Sequence, residues 1–355
     1  MATIKEVARL ARVSVGTVSN ILSGTSAVSQ ELRERVERVI AELNYHPNHI
    51  ARSLKSRRSH TLAILVSDIT NPFFPLVVRG AEDAARKFGF QLTIFNTDDN
   101  LERERDVFSL LRMRRADGIL VVVTPESGKG THIPETIASG IPVVCLDRVP
   151  ENTEVDSVLV DNIKGARICI RHLTAMGHRR IAVISGPLQL QTARDRVAGY
   201  RDALHEAGIS YDPTLLREGD FRFESGYRFA KDLCLLHPRP TAIFALNCMM
   251  GMGAYKAVQE LSLNMPGDMA LAVFDDVPGN DLLRPQMTVV SQPAYDLGYR
   301  ATDLLIQRIN HAIPDTRPIS LLLEPELKIG QSTAIRIPVE LTRQAKMHEL
   351  PRRRK

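Results

Sequence analysis

Thr3-Ile4-Lys5-Glu6-Val7-Ala8-Arg9-Leu10-Ala11-Arg12-Val13-Ser14-Val15-Gly16-Thr17-Val18-Ser19-Asn20-Ile21-Leu22 decides the architecture of the amino-terminal end. Thr3 and Glu6 stand at the spacing where a hydroxyl and a carboxylate satisfy each other's backbone amides at a helix start. Beyond them Ile4, Val7, Ala8 and Ala11 fall on one helical face, which predicts a helix to about Arg12. Ser14 is placed to cap a second helix, Val15–Leu22, with Val18, Ile21 and Leu22 inward, and Gly24 suits its end. Only Arg12-Val13-Ser14 separates the two, the pattern of a helix-turn-helix. A third helix follows, with Ser29 as its cap and Leu32, Val36, Val39, Ile40 and Leu43 at helical spacing.

Working outward, His46-Pro47-Asn48 breaks the third helix. The next stretch, Asn48–Ser56, is helix-capable but has too few apolar residues to bury a face, and a helix this short is marginal alone in water. It reads as a linker that orders only against something else. Charge points the same way. Residues 1–60 hold ten Lys/Arg and five Asp/Glu, which accounts for the whole net charge of +5. Residues 61–345 sum to about −4 and the last ten residues to +4. A basic head on a slightly acidic body predicts that the head meets a polyanion and the body does not.

From Thr61 the rhythm becomes strand, helix, strand. Strand-like runs are 62–67, 92–96, 119–123, 143–146, 158–160, 181–185, 242–246, 271–274 and 289–291. Helical patterns lie at 76–88, 101–115, 164–176, 194–207, 225–237, 250–261 and 296–310. Continuous Val/Ile/Leu runs alternating with helices predict parallel sheets covered on both faces. So many units over some 280 residues fit two doubly wound subdomains with a cleft between them, and ligands bind such sheets beyond the carboxyl ends of the strands. The polar residues there are Asp68/Asn71, Asp98, Asp147/Arg148, Asp161/Asn162, Asn247, Asp275 and Gln292.

Composition closes off other classes. The chain has 355 residues, 44% apolar and 25% charged, enough for two to three domains that need no disulfide or metal staple. Its four cysteines form no CxxC and read as free thiols of a reducing cytoplasm. No apolar run is long enough to span a bilayer, and Met1–Glu6 is too polar for a signal peptide, so a cytoplasmic protein without membrane association is expected. There is no GxxxxGK[ST], GxSxG or HExxH motif, and the ten histidines do not cluster. Asp275 and Asp276 are adjacent and, in extended chain, point apart, a poor acid/base pair. An enzyme is not expected.

Several stretches together resemble the lactose-repressor/galactose-repressor family of bacterial transcription regulators. They are Thr3-Ile4-Lys5-Glu6-Val7-Ala8, Val13-Ser14-x-x-Thr17-Val18-Ser19, Leu43-Asn44-Tyr45-x-Pro47-Asn48 and Ala51-Arg52-Ser53-Leu54 in the head. In the body they are Asn71-Pro72-Phe73-Phe74, Val160-Asp161-Asn162, Gly177-His178-Arg179-Arg180-Ile181 and Phe274-Asp275-Asp276. The resemblance spans about residues 2–338. It implies a helix-turn-helix head (1–46), a hinge helix and linker (47–60) and a core like the periplasmic sugar-binding proteins (61–338), followed by a basic tail (339–355). The core would be two doubly wound α/β subdomains, one from 61–161 and 293–324, the other from 162–291 and 325–338. A homodimer on a pseudopalindromic, double-stranded operator is implied, and no leucine heptad after Pro338 calls for a tetramer.

By that resemblance the second helix reads the major groove through Val15, Gly16 and Asn20. Asn20 can pair bidentately with adenine and Val15 can touch a thymine methyl, whereas Gly16 offers no side chain. Thr3, Ser14, Thr17, Ser19 and Asn48 suit phosphate contacts, although Thr3, Ser14 and Ser29 also serve as plain helix caps. Arg52, Leu54 and Lys55 complete the DNA-binding set. In the family the leucine at position 54 enters the minor groove, where wedging costs stacking energy that the bent DNA repays. Packing of Leu54 on the core is the other reading.

For the effector, Phe73 and Phe74 can stack on the apolar face of a sugar or base. Asp147, Arg148, Arg196, Asn247, Asp275 and Gln292 can hydrogen-bond vicinal hydroxyls, and Phe221 can close the opposite wall. With Asn71, this set resembles the pocket of the periplasmic ribose-binding proteins. A pentose is the first expectation, then a hexose, then a purine or other non-sugar metabolite. The plain alternative is that Asp147 and Asp275 only cap loops and Arg196 pairs with Asp195 or Asp220. No cofactor or metal is called for. Two departures stand out: Cys248 where the family usually has Asp, and Gly330 where it usually has Arg. The expected function is a ligand-responsive repressor of carbohydrate-utilisation genes. A transcriptional activator, an architectural DNA binder and a periplasmic solute-binding protein are the alternatives, the last lacking the basic head.

Overall fold

The computed structural model describes residues 2–23, 28–45, 59–125, 127–151, 153–314 and 317–334. It divides into two compact units between His60 and Thr61. In the first, α1 (Ile4–Ala11), α2 (Val15–Ser23) and α3 (Gln30–Glu42) enclose Val7, Ala11, Val18, Ile21, Val36 and Val39. The reciprocal cap at α1 is formed: Thr3 Oγ1 accepts from Glu6 N at 3.3 Å and Thr3 N donates to Glu6 Oε2 at 2.7 Å. The Thr3 amide and hydroxyl, both donating to Glu6 Oε2, hold that carboxyl below its usual range. Arg12 takes a left-handed conformation (φ 53°) that ends α1, and Ser14 Oγ accepts from Thr17 N at 3.0 Å to open α2. Ser29 precedes α3 but makes no capping bond; the start of α3 is exposed, where its amides need no protein partner. The expected cap at Gly24, the hinge stretch with Asn48, Arg52, Leu54 and Lys55, and the basic tail lie outside the described residues.

The second unit holds two six-stranded sheets. The first is ordered β11 (Ser320–Leu323), β5 (Asp156–Val160), β4 (Val143–Leu146), β3 (Gly118–Val121), β1 (Thr61–Val66), β2 (Gln91–Asn96). The second is ordered β12 (Glu326–Lys328), β10 (Thr288–Ser291), β9 (Ala270–Phe274), β8 (Ala242–Ala245), β6 (Ile181–Ser185), β7 (Leu216–Glu218). Helices α4 (Phe73–Lys87), α5 (Leu101–Arg114), α6 (His132–Ala138) and α11 (Ala294–Ile309) cover the first sheet. Helices α7 (Asn162–Ala175), α8 (Gln191–Glu206), α9 (Phe223–Cys234) and α10 (Cys248–Glu260) cover the second. The chain passes from one sheet to the other after β5, after β10 and after β11.

Burial on both faces explains the unbroken apolar strands. Leu62, Ile64 and Val66 of β1 join a cluster with α4 and α11, while Ala63 and Leu65 join Phe108 of α5 and Ile133 of α6 on the other face. In β8, Ile243 and Ala245 face one cluster and Ala242 and Phe244 the other. One expectation needs correcting: β12 runs antiparallel to β10, so the second sheet is not wholly parallel. Three of the four edge strands, β7, β11 and β12, are three or four residues long and mostly unburied; β7 and β12 carry no apolar run, and β11 offers only Leu321–Leu323. Helix α6 spans seven residues, too few turns for a period to show.

Two helices of the first lobe touch backbone to backbone. A Cβ built on Gly298 of α11 would lie 1.9 Å from the Val77 carbonyl oxygen, and one on Gly80 of α4 would lie 2.0 Å from that of Tyr295. Gly298→Ala must therefore push α11 away from α4. Overpacking of this kind costs about 1–3 kcal/mol or more, and a thermal melt should show a Tm lower by several degrees. An unchanged Tm would mean the helices separate freely.

Candidate functional site

A cleft of about 250 Å³ opens at the carboxyl ends of the two sheets. All ten residues expected to hold an effector line it. The loop after β1 supplies Asn71, whose Oδ1 accepts from Phe73 N at 3.2 Å. Helix α4 begins at Phe73, earlier than the expected Leu76, because Pro72 already adopts helical geometry. Phe73 and Phe74 thus sit in its first turn, edge to face with ring centroids 5.2 Å apart, both buried.

Asp147 and Arg148 follow β4. Arg148 is 4% exposed, and its Nη2 donates to Asp99 Oδ1 at 2.7 Å. Arg196, on α8, pairs with neither Asp195 nor Asp220. Its Nε donates to Asn162 Oδ1 at 2.7 Å, its Nη1 to the Leu246 carbonyl at 2.6 Å, and its guanidinium lies 3.8 Å over the Phe274 ring. Asn247 caps α10 by accepting from Met250 N at 2.9 Å, and its amide nitrogen donates to the Phe221 carbonyl at 2.8 Å. Asp275 accepts from Gln292 Nε2 through one oxygen and from Cys248 N at 3.4 Å through the other. Asp276 turns away to Ser291 and Lys328, so the adjacent carboxylates do point apart.

Two features set this cleft apart from a packed core. First, Asp147 Oδ1, Arg148 Nε and Gln292 Oε1 are buried there without a hydrogen-bond partner, a condition that buried polar groups rarely tolerate. Second, Asp98, Asp99, Asp147, Phe221 and Asp275 all take left-handed backbone, with φ of 52°, 54°, 66°, 63° and 80°. Each such residue costs on the order of 1–3 kcal/mol and persists only where surroundings impose it, most often at functional sites. Burial also pushes the Asp147 and Asp275 carboxyls above their usual range, against the pull of Arg148 and Arg196 respectively.

Asp99, Thr192, Asp220 and Arg222 line the cleft as well and were not anticipated. In the sequence Asp98 alone was singled out after β2; in the structure Asp99 follows it and Asn100 caps α5. The place of Asp99 just after β2 was the available signal. Of the two departures, Cys248 is buried, and its thiol reaches Asn71 Oδ1 at 3.8 Å across the cleft. At Gly330 a Cβ would come within 2.5 Å of the Gln286 and Met287 carbonyl oxygens, so this backbone leaves no room for a side chain. The four cysteines are free and buried. Among the described residues no His/Cys/Asp/Glu group could hold a metal, and no helix is long and apolar enough to cross a membrane.

In the head, α2 buries Val18 and Ile21 and exposes Val15, Gly16 and Asn20, with Thr17 and Ser19 half-buried. Thr3 and Ser14 are exposed at the helix starts and act as caps. Residues 3–48 match the model of the bacterial regulatory proteins of the lacI family. Residues 59–324 match that of the periplasmic binding proteins and sugar binding domain of the LacI family. The chain belongs to the LacI family. It is therefore a DNA-binding transcription regulator, with a helix-turn-helix head and a periplasmic-binding-protein-like core. It is 36% identical over 328 residues to the ribose operon repressor of Escherichia coli, covering 92% of this chain and 98% of that one. It is 34% identical to the transcriptional repressor PurR of Vibrio atlanticus, covering 87% and 92%. A Lac repressor dimer bound to operator and an anti-inducer matches at 27% identity and a TM-score of 0.83, over 94% of this chain and 99% of that one.

Proposed function

We propose that this LacI-family chain is a repressor that holds a pseudopalindromic operator as a homodimer, and that a sugar, first of all a pentose, closes the interlobe cleft and resets that grip. The observation that carries the effector reading is the convergence of Asp147 Oδ1, Arg148 Nε and Gln292 Oε1, unpartnered and buried, beside two aromatic rings. Hydroxyls that both donate and accept satisfy such a set, and the apolar face of a sugar ring suits Phe73 and Phe74. The ten cleft residues would be effector ligands. The alternative that Asp147 and Asp275 merely cap loops fits poorly with an oxygen of Asp147 left bare.

On the DNA side, Asn20 and Val15 would read base edges from the exposed face of α2, and Thr3, Ser14, Thr17 and Ser19 would approach phosphates. Asn48, Arg52 and Lys55 would join them from a hinge (47–60) that orders on the operator. The core would divide into lobes 61–161 with 293–324 and 162–291 with 325–338. Closure of the lobes would change hinge spacing in the dimer, with a coupling of about 1–3 kcal/mol, a roughly 5- to 150-fold change in operator affinity. Leu54→Ala is expected to weaken specific operator binding more than tenfold and leave the melt of the core unchanged, because the wedge acts only on DNA. Unaltered affinity in a fluorescence-anisotropy titration would exclude it.

The 34% identity to PurR keeps a purine as the second reading. A thermal-shift screen with pentoses, hexoses and purine bases, followed by operator titration with each hit, separates the two. A pentose should give the largest rise in Tm and change operator affinity. A rise with a purine alone would replace the sugar reading.

A further inference from the structure

We infer that the cleft admits an uncharged sugar and turns away its phosphate ester, so that the protein reads the free sugar rather than the product of its phosphorylation. This rests on the sugar reading above. The lining holds six carboxylates, those of Asp68, Asp98, Asp99, Asp147, Asp220 and Asp275, against the guanidinium groups of Arg148, Arg196 and Arg222. Each of the two buried arginines already spends part of its guanidinium on the protein itself. Arg148 is paired with Asp99 at 2.7 Å. Arg196 is committed to Asn162, to the Leu246 carbonyl and to the Phe274 face. Arg222 is exposed at the rim, with its backbone amide on Asp220.

Helix N-termini are the other usual anion cradle; α4, α8, α9 and α10 all begin at this cleft, α8 with Thr192 and α9 beside Arg222. The starts of α8 and α9 carry no side-chain cap, so there the surrounding carboxylates alone oppose an anion, whereas those of α4 and α10 are occupied from within. Asn71 takes Phe73 N, Asn247 takes Met250 N, and the Asp275 carboxylate takes Cys248 N. Among the fully buried atoms of the lining, those left without a partner are two acceptors, Asp147 Oδ1 and Gln292 Oε1, and one donor, Arg148 Nε. A hydroxyl can donate to the first two. A phosphate dianion carries only acceptor oxygens, and a dianion near buried carboxylates in a low-dielectric site is repelled more strongly than in water.

Asp99 is the residue that offsets the charge of Arg148 against an incoming anion. It stands in a turn with two consecutive left-handed residues, Asp98 and Asp99. Asp98 is itself held by Asn96 and Arg103, so the strained turn delivers the Asp99 carboxylate to the guanidinium. The chemistry of this place implies that phosphoryl transfer to the sugar consumes the signal.

The test is isothermal titration of the full-length protein with D-ribose and its terminal phosphate ester, and with D-glucose and its terminal phosphate ester. For any pair that binds, the free sugar should bind about 100-fold more tightly or better. Asp99→Asn, by leaving Arg148 uncompensated, should narrow that ratio about tenfold through tighter ester binding, and Asp99→Glu should restore it. An ester that binds as well as its parent sugar overturns the inference and leaves the sugar reading standing. A failure of both members of both pairs overturns the two together. A ratio unmoved in Asp99→Asn, with its melt unchanged, removes the role given to Asp99.

Discussion

Arg196→Lys is expected to raise the effector Kd about 100-fold or more, abolish the ligand-dependent change in operator affinity, and lower the Tm of the core by several degrees. The charge survives this substitution; the geometry does not. Arg196 is 4% exposed and uses two edges of its guanidinium at once, toward Asn162 Oδ1 at 2.7 Å and the Leu246 carbonyl at 2.6 Å. Its flat face rests on Phe274 at 3.8 Å. A lysine ammonium is a compact point charge without the planar fork, and cannot serve both acceptors while stacking. A buried carbonyl left unpaired costs about 1–3 kcal/mol, and the lost ring contact up to about 2 kcal/mol more. The guanidinium also fixes the position from which its remaining edge meets a ligand. One charge-assisted bond lost there, at about 1.5–3 kcal/mol, reaches the 100-fold range. Titration calorimetry and operator anisotropy check the two halves. An Arg196→Lys protein that still responds to ligand would show that the fork acts on packing alone. Operator affinity without ligand should stay as it is, because no head residue is touched.

The cleft was legible in sequence for a topological reason. Polar residues directly after buried strands, such as Asp147 after β4 and Asp275 after β9, have little to do in a doubly wound sheet except face a ligand. The strands themselves were plain because burial on both faces demands unbroken apolar runs. Where that demand lapses, the signal lapses too. β7 and β12 are three residues long with one leucine each, β11 is only four, and the antiparallel direction of β12 depends on a chain that has already crossed between lobes. Asp99 was hidden because Asp98 already filled the position after β2, and only the fold brings Asp99 beside Arg148 from 49 positions away. Ser29 shows the opposite failure. Its sequence position is that of a cap, yet an exposed helix start does not need one. The Phe73–Phe74 pair was placed in the right wall but the wrong element, since Pro72 starts the helix earlier than the apolar period does.

Asp147→Asn is expected to separate stability from function in this cleft. The Asp147 carboxyl is buried in a left-handed turn, one oxygen has no partner, and burial raises its pKa against the pull of Arg148 and Arg196. A carboxyl whose pKa is higher in the folded protein than in the unfolded chain contributes stability fully only below the unfolded value. That contribution is lost as pH rises through the folded value. Above the ordinary carboxylate range the ligand-free core therefore carries the cost of holding a buried, under-bonded carboxyl there. An isosteric amide removes the charge and keeps the shape, so Asp147→Asn should melt a few degrees higher at pH 8. Lowering the pH toward the ordinary carboxylate range protonates the parent's own carboxyl, and the gap between the two proteins should close. Ligand binding should move the other way. The carboxylate accepts from sugar hydroxyls as a charged partner, worth about 1.5–3 kcal/mol per bond, and the amide offers one neutral acceptor in its place. The variant should lose about 10- to 100-fold in effector affinity while gaining Tm, as expected where a site is kept strained for its ligand. Paired melts at two pH values and one titration decide it. An Asp147→Asn protein that is less stable at pH 8 would show that the carboxylate serves the fold rather than the ligand.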